Sequence, residues 1–181
     1  MHVAHRIRLA VPADIEGIVA LDRRTQNVPH WAVADYLGAV TSAGGDLEAG
    51  GLETIDTRRC VFVANVAEAI VGFSIGRVTA VGQEVLAELE SVGVADSARR
   101  AGIGRAMCEA VIAWARDAGA SEIELEVRSK SDGAIALYSS LGFAAVGFRP
   151  RYYREPDDDA VLMRLSVAQR LHCEDPPYRD L

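Results

Sequence analysis

Cysteine is scarce in this chain of 181 residues. Cys60, Cys108 and Cys173 are odd in number and far apart, so no disulfide framework or thiolate metal spacing is present. Cys60 and Cys108 sit inside apolar stretches and read as small core residues. Long hydrophobic runs are also missing: no window approaches about eighteen uninterrupted apolar residues, and the start, Met1 to Arg6, has no apolar stretch of the signal-peptide kind. These absences point to a reducing, cytoplasmic setting with no membrane attachment. Histidine is sparse. His2, His5 and His172 lie near the ends and His30 stands alone before Trp31, which leaves no metal cluster and no histidine-centred triad. Positive charge is in deficit, and the net charge of −7 argues against a large nucleic-acid surface while mildly favouring cationic partners such as amines. There is no Gly-x-Ser-x-Gly elbow, no Gly-Lys-Ser/Thr ending of a Walker loop and no three-glycine dinucleotide fingerprint.

What remains is the composition of a small enzyme or binding domain, half apolar and a quarter charged. One domain over residues 1–181 is expected, with a core of about 5–166 and a tail over 167–181. Arg6 to Val11 reads as a strand. Pro12-Ala13-Asp14 opens a helix carrying Ile15, Ile18, Val19 and Leu21, and a second helix is expected over Trp31 to Val40. Thr41 to Thr57, rich in Gly, Ala, Ser and Asp, reads as a loop. Strands at Cys60 to Val66 and Ile70 to Val78 form a hairpin across Ala67-Glu68-Ala69. In the next strand, Val85 to Val94, one parity combines Leu86, Glu88, Glu90, Val92 and Val94. A bulge would relieve that mixture of carboxylates and valines on one face. Ile103 to Ala118 has a clear helical period, Glu122 to Arg128 alternates strictly, and Ser131 caps a helix that runs to Leu141 before Gly142. Strands at Phe143 to Phe148 and Ala160 to Leu165 follow, separated by Arg149–Arg154 and an acidic turn, Asp157-Asp158-Asp159. The pattern describes an α/β fold with a mixed sheet.

Arg99-Arg100-Ala101-Gly102-Ile103-Gly104-Arg105 lies between a strand and an amphipathic helix. Unpaired N–H groups and partial positive charge at the helix mouth, glycines that admit a ligand to the backbone, and guanidinium groups together suit a phosphate. A loop with a solvated basic helix start would have the same local pattern. Glu122 and Glu124 are adequately explained by a wet strand face. Glu126 lies nearer the carboxyl end of its strand, where ligands gather in mixed α/β sheets. Tyr138 has the spacing of a core residue, yet its hydroxyl could act as a proton donor.

Four ordered blocks from Glu90 to Leu165 resemble the N-acetyltransferases of the GNAT superfamily, most closely the ribosomal-protein-alanine acetyltransferase branch. They are Arg99 to Gly104, Leu125-Glu126-Val127-Arg128, Ala134 to Phe143, and Tyr152-Tyr153 followed by Asp159 to Met163, with an echo of an early signature in Pro29-His30-Trp31. The resemblance implies a twisted, largely antiparallel mixed sheet with helices on both faces, splayed open at a V-shaped acetyl-CoA cleft. It implies that Val92, Gly93 and Val94 hold the pantetheine and acetyl carbonyl, and that Arg99, Arg100, Ala101, Gly102, Ile103, Gly104 and Arg105 wrap the pyrophosphate. Ser131 and Tyr138 would also contact the cosubstrate. Glu126 would be the general base and Tyr138 the donor to the CoA thiolate, with Glu90, and behind it Glu88, the rival base. Trp31, Tyr152 and Tyr153 would flank the acceptor. The implied reaction is direct attack of a primary amine on acetyl-CoA in a ternary complex, without metal. The implied acceptor is a protein N-terminus such as that of ribosomal protein S18, the enzyme being a monomer or homodimer. A small amine, an aminoglycoside or a lysine side chain is the alternative acceptor, and a non-catalytic acyl-CoA-binding protein the alternative role. The chain departs from the branch at Ser131, where Asn is usual, at Ala95-Asp96 in place of His/Asp-Pro, and in the length of Thr41 to Thr57.

Overall fold

The computed structural model describes residues 5–25, 28, 30–42 and 55–167. Most of the Thr41–Thr57 segment (43–54), Pro29, and the tail from 168 onward with His172 and Cys173 lie outside the described residues. The elements run β1 (Arg6–Leu9), α1 (Ile15–Asp22), α2 (Val33–Ser42), β2 (Ile55–Val66), β3 (Ala69–Val81), β4 (Glu84–Val94), α3 (Ile103–Asp117), β5 (Glu122–Arg128), α4 (Asp132–Ser140), β6 (Ala144–Arg154) and β7 (Asp157–Ser166). Seven strands form one sheet in the order β1-β2-β3-β4-β5-β7-β6, and only the β4–β5 pairing is parallel.

Both sheet faces are covered by helices whose apolar spacing leaves them little choice. Ile15, Ile18, Val19 and Leu21 of α1 join Tyr36, Ala39 and Val40 of α2 against Val61, Val63, Phe73 and Ile75. Asp14 fastens the entry to α1, accepting from Val11 N–H at 2.8 Å and from both Arg8 nitrogens at 2.6 and 2.8 Å. On the other face α3 buries Ile103, Met107, Cys108, Val111 and Ala115. Each large apolar side chain there contributes roughly 1.5–3 kcal/mol.

Two features open the sheet at its centre. First, β4 and β5 share only the pairs Ala87↔Ile123 and Glu88↔Glu124, so beyond Glu88 the parallel neighbours part. Second, the expected bulge is present. Ile75 pairs with Ser91 while Gly76 pairs with Leu89, which leaves Glu90 as the extra residue. Side-chain parity changes across it: Ala87 and Leu89 pack under α3 before the bulge, and Val92 and Val94 do so after it. Glu88 and Glu90 are thereby released to the opposite face. Gly93 is required by close approach, since a Cβ there would lie 2.4 Å from Phe73 Cε1.

Three sequence expectations change. Trp31 precedes α2, which runs from Val33 to Ser42, and Val33 and Leu37 within it are exposed. Strands β2 and β3 extend to Ile55 and Val81, so residues 55–57 belong to the sheet. Arg149–Arg154 and Asp157–Asp159 are strand, with the turn at Glu155-Pro156. Sequence alternation fails there because β6 bulges: Arg149 pairs with Ala160 but Tyr153 with Asp158, and the looped-out Arg151 N–H bonds Asp159 Oδ1 at 2.7 Å.

Candidate active site

The basic segment forms the mouth of α3. Gly102 is its N-cap at φ 81°, a left-handed conformation that favours glycine, and Arg100 shares that region at φ 64°. Ala106 N–H makes the first helical bond, to Gly102 at 3.0 Å. Among the described residues no acceptor takes the N–H groups of Ile103, Gly104 or Arg105. Space beside Gly102 is open, with nothing within 4 Å of a Cβ built there. An anion would therefore meet free donors at the positive end of a four-turn helix. Arg99 and Arg105 are partly committed elsewhere. Arg99 pairs with Asp96 at 2.7 Å and reaches Val94 O at 3.3 Å, and Arg105 ties α3 to Ser140 Oγ at 2.7 Å. Ser131 sits at the N-cap of α4, but its hydroxyl makes no capping bond to that helix, contrary to the expected side-chain cap.

The carboxylates of β4 and β5 meet on the face opposite α3. Glu90 is clamped: Arg59 donates to it at 2.8 and 3.0 Å and Arg77 Nε lies 3.3 Å away, with its side chain only 11% exposed. Arg77 also pairs closely with Glu88. Trp31 stands at the end of this chain of charges, 5.5 Å from the Arg59 guanidinium and 5.7 Å from the Tyr36 ring. Glu122 and Glu124 face water and pair with Arg164.

Glu126 is held differently. Arg149 Nη1 approaches its Oε1 at 2.6 Å, and interaction with the Glu126 carboxylate pushes the Tyr152 phenol upward. Tyr152 and Tyr153 pack edge to face at 5.1 Å. Arg128 lies 4.2 Å over the Tyr153 ring while donating to Pro156 O and Glu155 O. Burial, with the Glu126 charge adding to it, pushes the Tyr153 phenol up to about 12. The β5–α4 turn beyond Glu126 is braced by Asp158, which accepts from Ser129 Oγ at 2.8 Å. Tyr138 packs edge to face on Phe143 at 6.0 Å. Burial pushes its phenol upward.

The site residues read from the sequence thus fall into several places: the helix mouth, the parted β4 edge with Val92–Val94, the Glu90 clamp, the Glu126–Tyr152–Tyr153 corner, and α4, where Ser131 stands at the N-cap and Tyr138 packs on Phe143. Trp31 joins the Glu90 clamp. Sequence reasoning missed the arginines that decide which carboxylate is engaged, Arg59, Arg77 and Arg149. For Arg59 and Arg77 the only local signal was a charge on a strand parity that otherwise faces α1 and α2, and Arg149, on the exposed strand β6, had none.

A profile of the Acetyltransferase (GNAT) family matches residues 25–143. The Mycobacterium tuberculosis protein named N-alpha-acetyltransferase RimI is 42% identical over 77 residues, 42% of this chain and 47% of that protein. The Escherichia coli protein named [Ribosomal protein bS18]-alanine N-acetyltransferase is 35% identical over 116 residues, 59% of this chain and 78% of that one. A Mycobacterium leprae relative matches over only 30% of its own length, so the chain spans half or less of two of these relatives. The crystal structure of the ribosomal-protein-S18-alanine N-acetyltransferase from Escherichia coli superposes with a TM-score of 0.68 at 26% identity, covering 92% of this chain and 96% of that one.

Proposed function

This chain belongs to the Acetyltransferase (GNAT) family, and from that premise we propose that it transfers acetyl from acetyl-CoA to the N-terminal α-amine of a protein, ribosomal protein S18 being the favoured target. The observation that carries this reading is the parting of β4 from β5 beside the uncapped mouth of α3. The residues fit acetyl-CoA: Val92–Val94 offer a strand edge without a β5 partner, and the free N–H groups of Ile103–Arg105 with the open space at Gly102 suit its pyrophosphate. Acetyl-CoA supplies an activated acetyl thioester. The relatives named for α-amine acetylation support the protein N-terminus as acceptor.

Glu126 is the proton acceptor in this scheme. An α-amine has a pKa of about 8 and is largely protonated at neutral pH, so it must lose a proton before its lone pair can attack. That first proton goes to solvent, and Glu126 collects the second, directly or through a water, as the new C–N bond forms. The C–S bond breaks, and the departing sulfur receives a hydrogen bond and then a proton at the Tyr138 side of the cleft. With its phenol pushed up by burial, Tyr138 stays protonated through the neutral range and presents that donor. Tyr152 and Tyr153 border the acceptor beside Glu126.

The reading is tested by acetyl-CoA consumption with mass spectrometry over peptides of varied N-terminus, lysine peptides with blocked N-termini, and small polyamines. Acetyl should appear on peptide α-amines. Acetylation confined to lysine or polyamines would overturn the acceptor, and tight acetyl-CoA binding without any product would favour a non-catalytic role.

A further inference from the structure

The guanidinium on Glu126 is an unusual companion for a group that must take a proton. Arg149 Nη1 stands 2.6 Å from Glu126 Oε1, and its guanidinium lies 5.5 Å over the Tyr152 ring. That ion pair occupies an oxygen that an incoming ammonium, or a water serving it, would need. The acceptor therefore has to displace Arg149.

The four arginines on this face differ in how firmly they are committed, and Arg164 holds both Glu122 and Glu124. Arg59 grips Glu90 with two nitrogens, Arg77 bridges Glu90 and Glu88, and both are about a third exposed. Arg149 has one ion-pair contact among the described residues, is 52% exposed, and pairs with a carboxylate that is itself 23% exposed. It projects from the outermost strand β6, at the start of the bulge where regular pairing with β7 lapses. A long, half-solvated side chain with one ion pair and one ring contact is the least costly of the four to redirect. The acids of β4 already have partners, so Arg149 is the cation on this face that a substrate can recruit.

We propose that Arg149 is a specificity residue that reads an acidic side chain in the first two residues of the acceptor. A substrate carboxylate there replaces Glu126 as the partner of Arg149 and frees Glu126 for the adjacent amine. Binding of the right acceptor and release of the proton acceptor become one event. A neutral acceptor must break the Arg149–Glu126 contact with nothing to offer in exchange, and a basic one adds repulsion. A planar guanidinium suits this exchange because it can engage either carboxylate with paired N–H groups. The proposal rests on α-amine acetylation as read above and names its substrate class.

The test measures kcat/KM on a matched set of peptides beginning Ala-Glu, Glu-Ala, Ala-Gln, Gln-Ala and Ala-Lys, for the native enzyme and for Arg149→Gln and Arg149→Lys. Melting temperatures verify that the exposed substitutions leave the fold intact. The native enzyme should favour at least one acidic peptide over its amide counterpart by about tenfold, the scale of one close charge pair. Arg149→Gln should bring that ratio to about one, raising KM for the acidic peptide while increasing turnover of the neutral ones. Arg149→Lys should restore part of the preference. Equal native rates on acidic and amide peptides, or an undiminished preference in Arg149→Gln, would overturn the proposal while leaving α-amine acetylation standing. Failure to acetylate any peptide α-amine would overturn both.

Discussion

Replacing each candidate base by its amide separates a structural carboxylate from a chemical one. Glu90→Gln keeps the volume but removes the charge that holds Arg59 and Arg77. Breaking a fully buried ion pair costs about 3–5 kcal/mol and an exposed one under about 1 kcal/mol. Glu90 is nearly buried while its arginines are about a third exposed, so an intermediate loss of about 2 kcal/mol is expected. For a chain of this length that lowers Tm by roughly 4–8 °C. Glu126→Gln loses one contact to a half-exposed arginine and should cost less than about 1 kcal/mol. Turnover should behave in the opposite order. Removing a general base slows the reaction by about 10²–10⁴-fold, so Glu126→Gln should be nearly silent, whereas Glu90→Gln should retain most of its turnover well below its own melting temperature. The assay pairs thermal melts with acetyl-CoA consumption at saturating peptide. A folded but silent Glu90→Gln beside an active Glu126→Gln would refute the reasoning and put the base on β4.

Tyr138→Phe should reduce turnover by about 10²-fold or more while leaving acetyl-CoA binding by calorimetry and Tm nearly unchanged, because the substitution keeps the ring that packs on Phe143. Cys60 and Cys108 are buried, with thiols pushed up to about 12 by desolvation. Alkylation at pH 8 should therefore leave both unlabelled in the native protein and label both after denaturation, and an acetyl group trapped on Cys108 would contradict this. Hydrogen bonds from Arg8, with help from Val11 N–H, hold the Asp14 carboxyl below its ordinary value. Its stabilisation is complete above the unfolded pKa of about 3.9 and is lost as pH falls through the lower folded value. Acid titration of stability should thus be shallower for Asp14→Asn than for the native chain below about pH 5, and identical slopes would remove Asp14 from the account.

Much of the scaffold was legible locally. The period of Ile103–Asp117, the strict alternation of Glu122–Arg128 and the Gly142 stop after α4 each depend on neighbours in sequence, and β5 falls where alternation put it. The mixed parity of Glu90 and Val92 even signalled the bulge. Legibility failed where partners were distant. Arg149–Arg154 looked like a loop because its apolar alternation is broken, yet β7 pairs with it and Asp159 satisfies the bulged backbone. Helix α2 was set too early because Trp31 fits an apolar period, while in the fold its ring meets Tyr36 and the Arg59 guanidinium.

The sequence by itself determined the helix mouth at Gly102–Arg105, the strand that carries Glu126 and the family these blocks belong to, since all are written in short-range spacing and residue chemistry. Tertiary structure alone decided how each carboxylate is held. Arg59 reaches Glu90 across 31 positions of chain, and Arg149 reaches Glu126 from the far side of β7. Those partnerships follow from sheet order, from a bulge that turns Glu90 to the Arg59 face, and from the parting of β4 and β5. Such long-range register leaves no periodic trace in the chain, because it is set by which strands pair and where pairing stops.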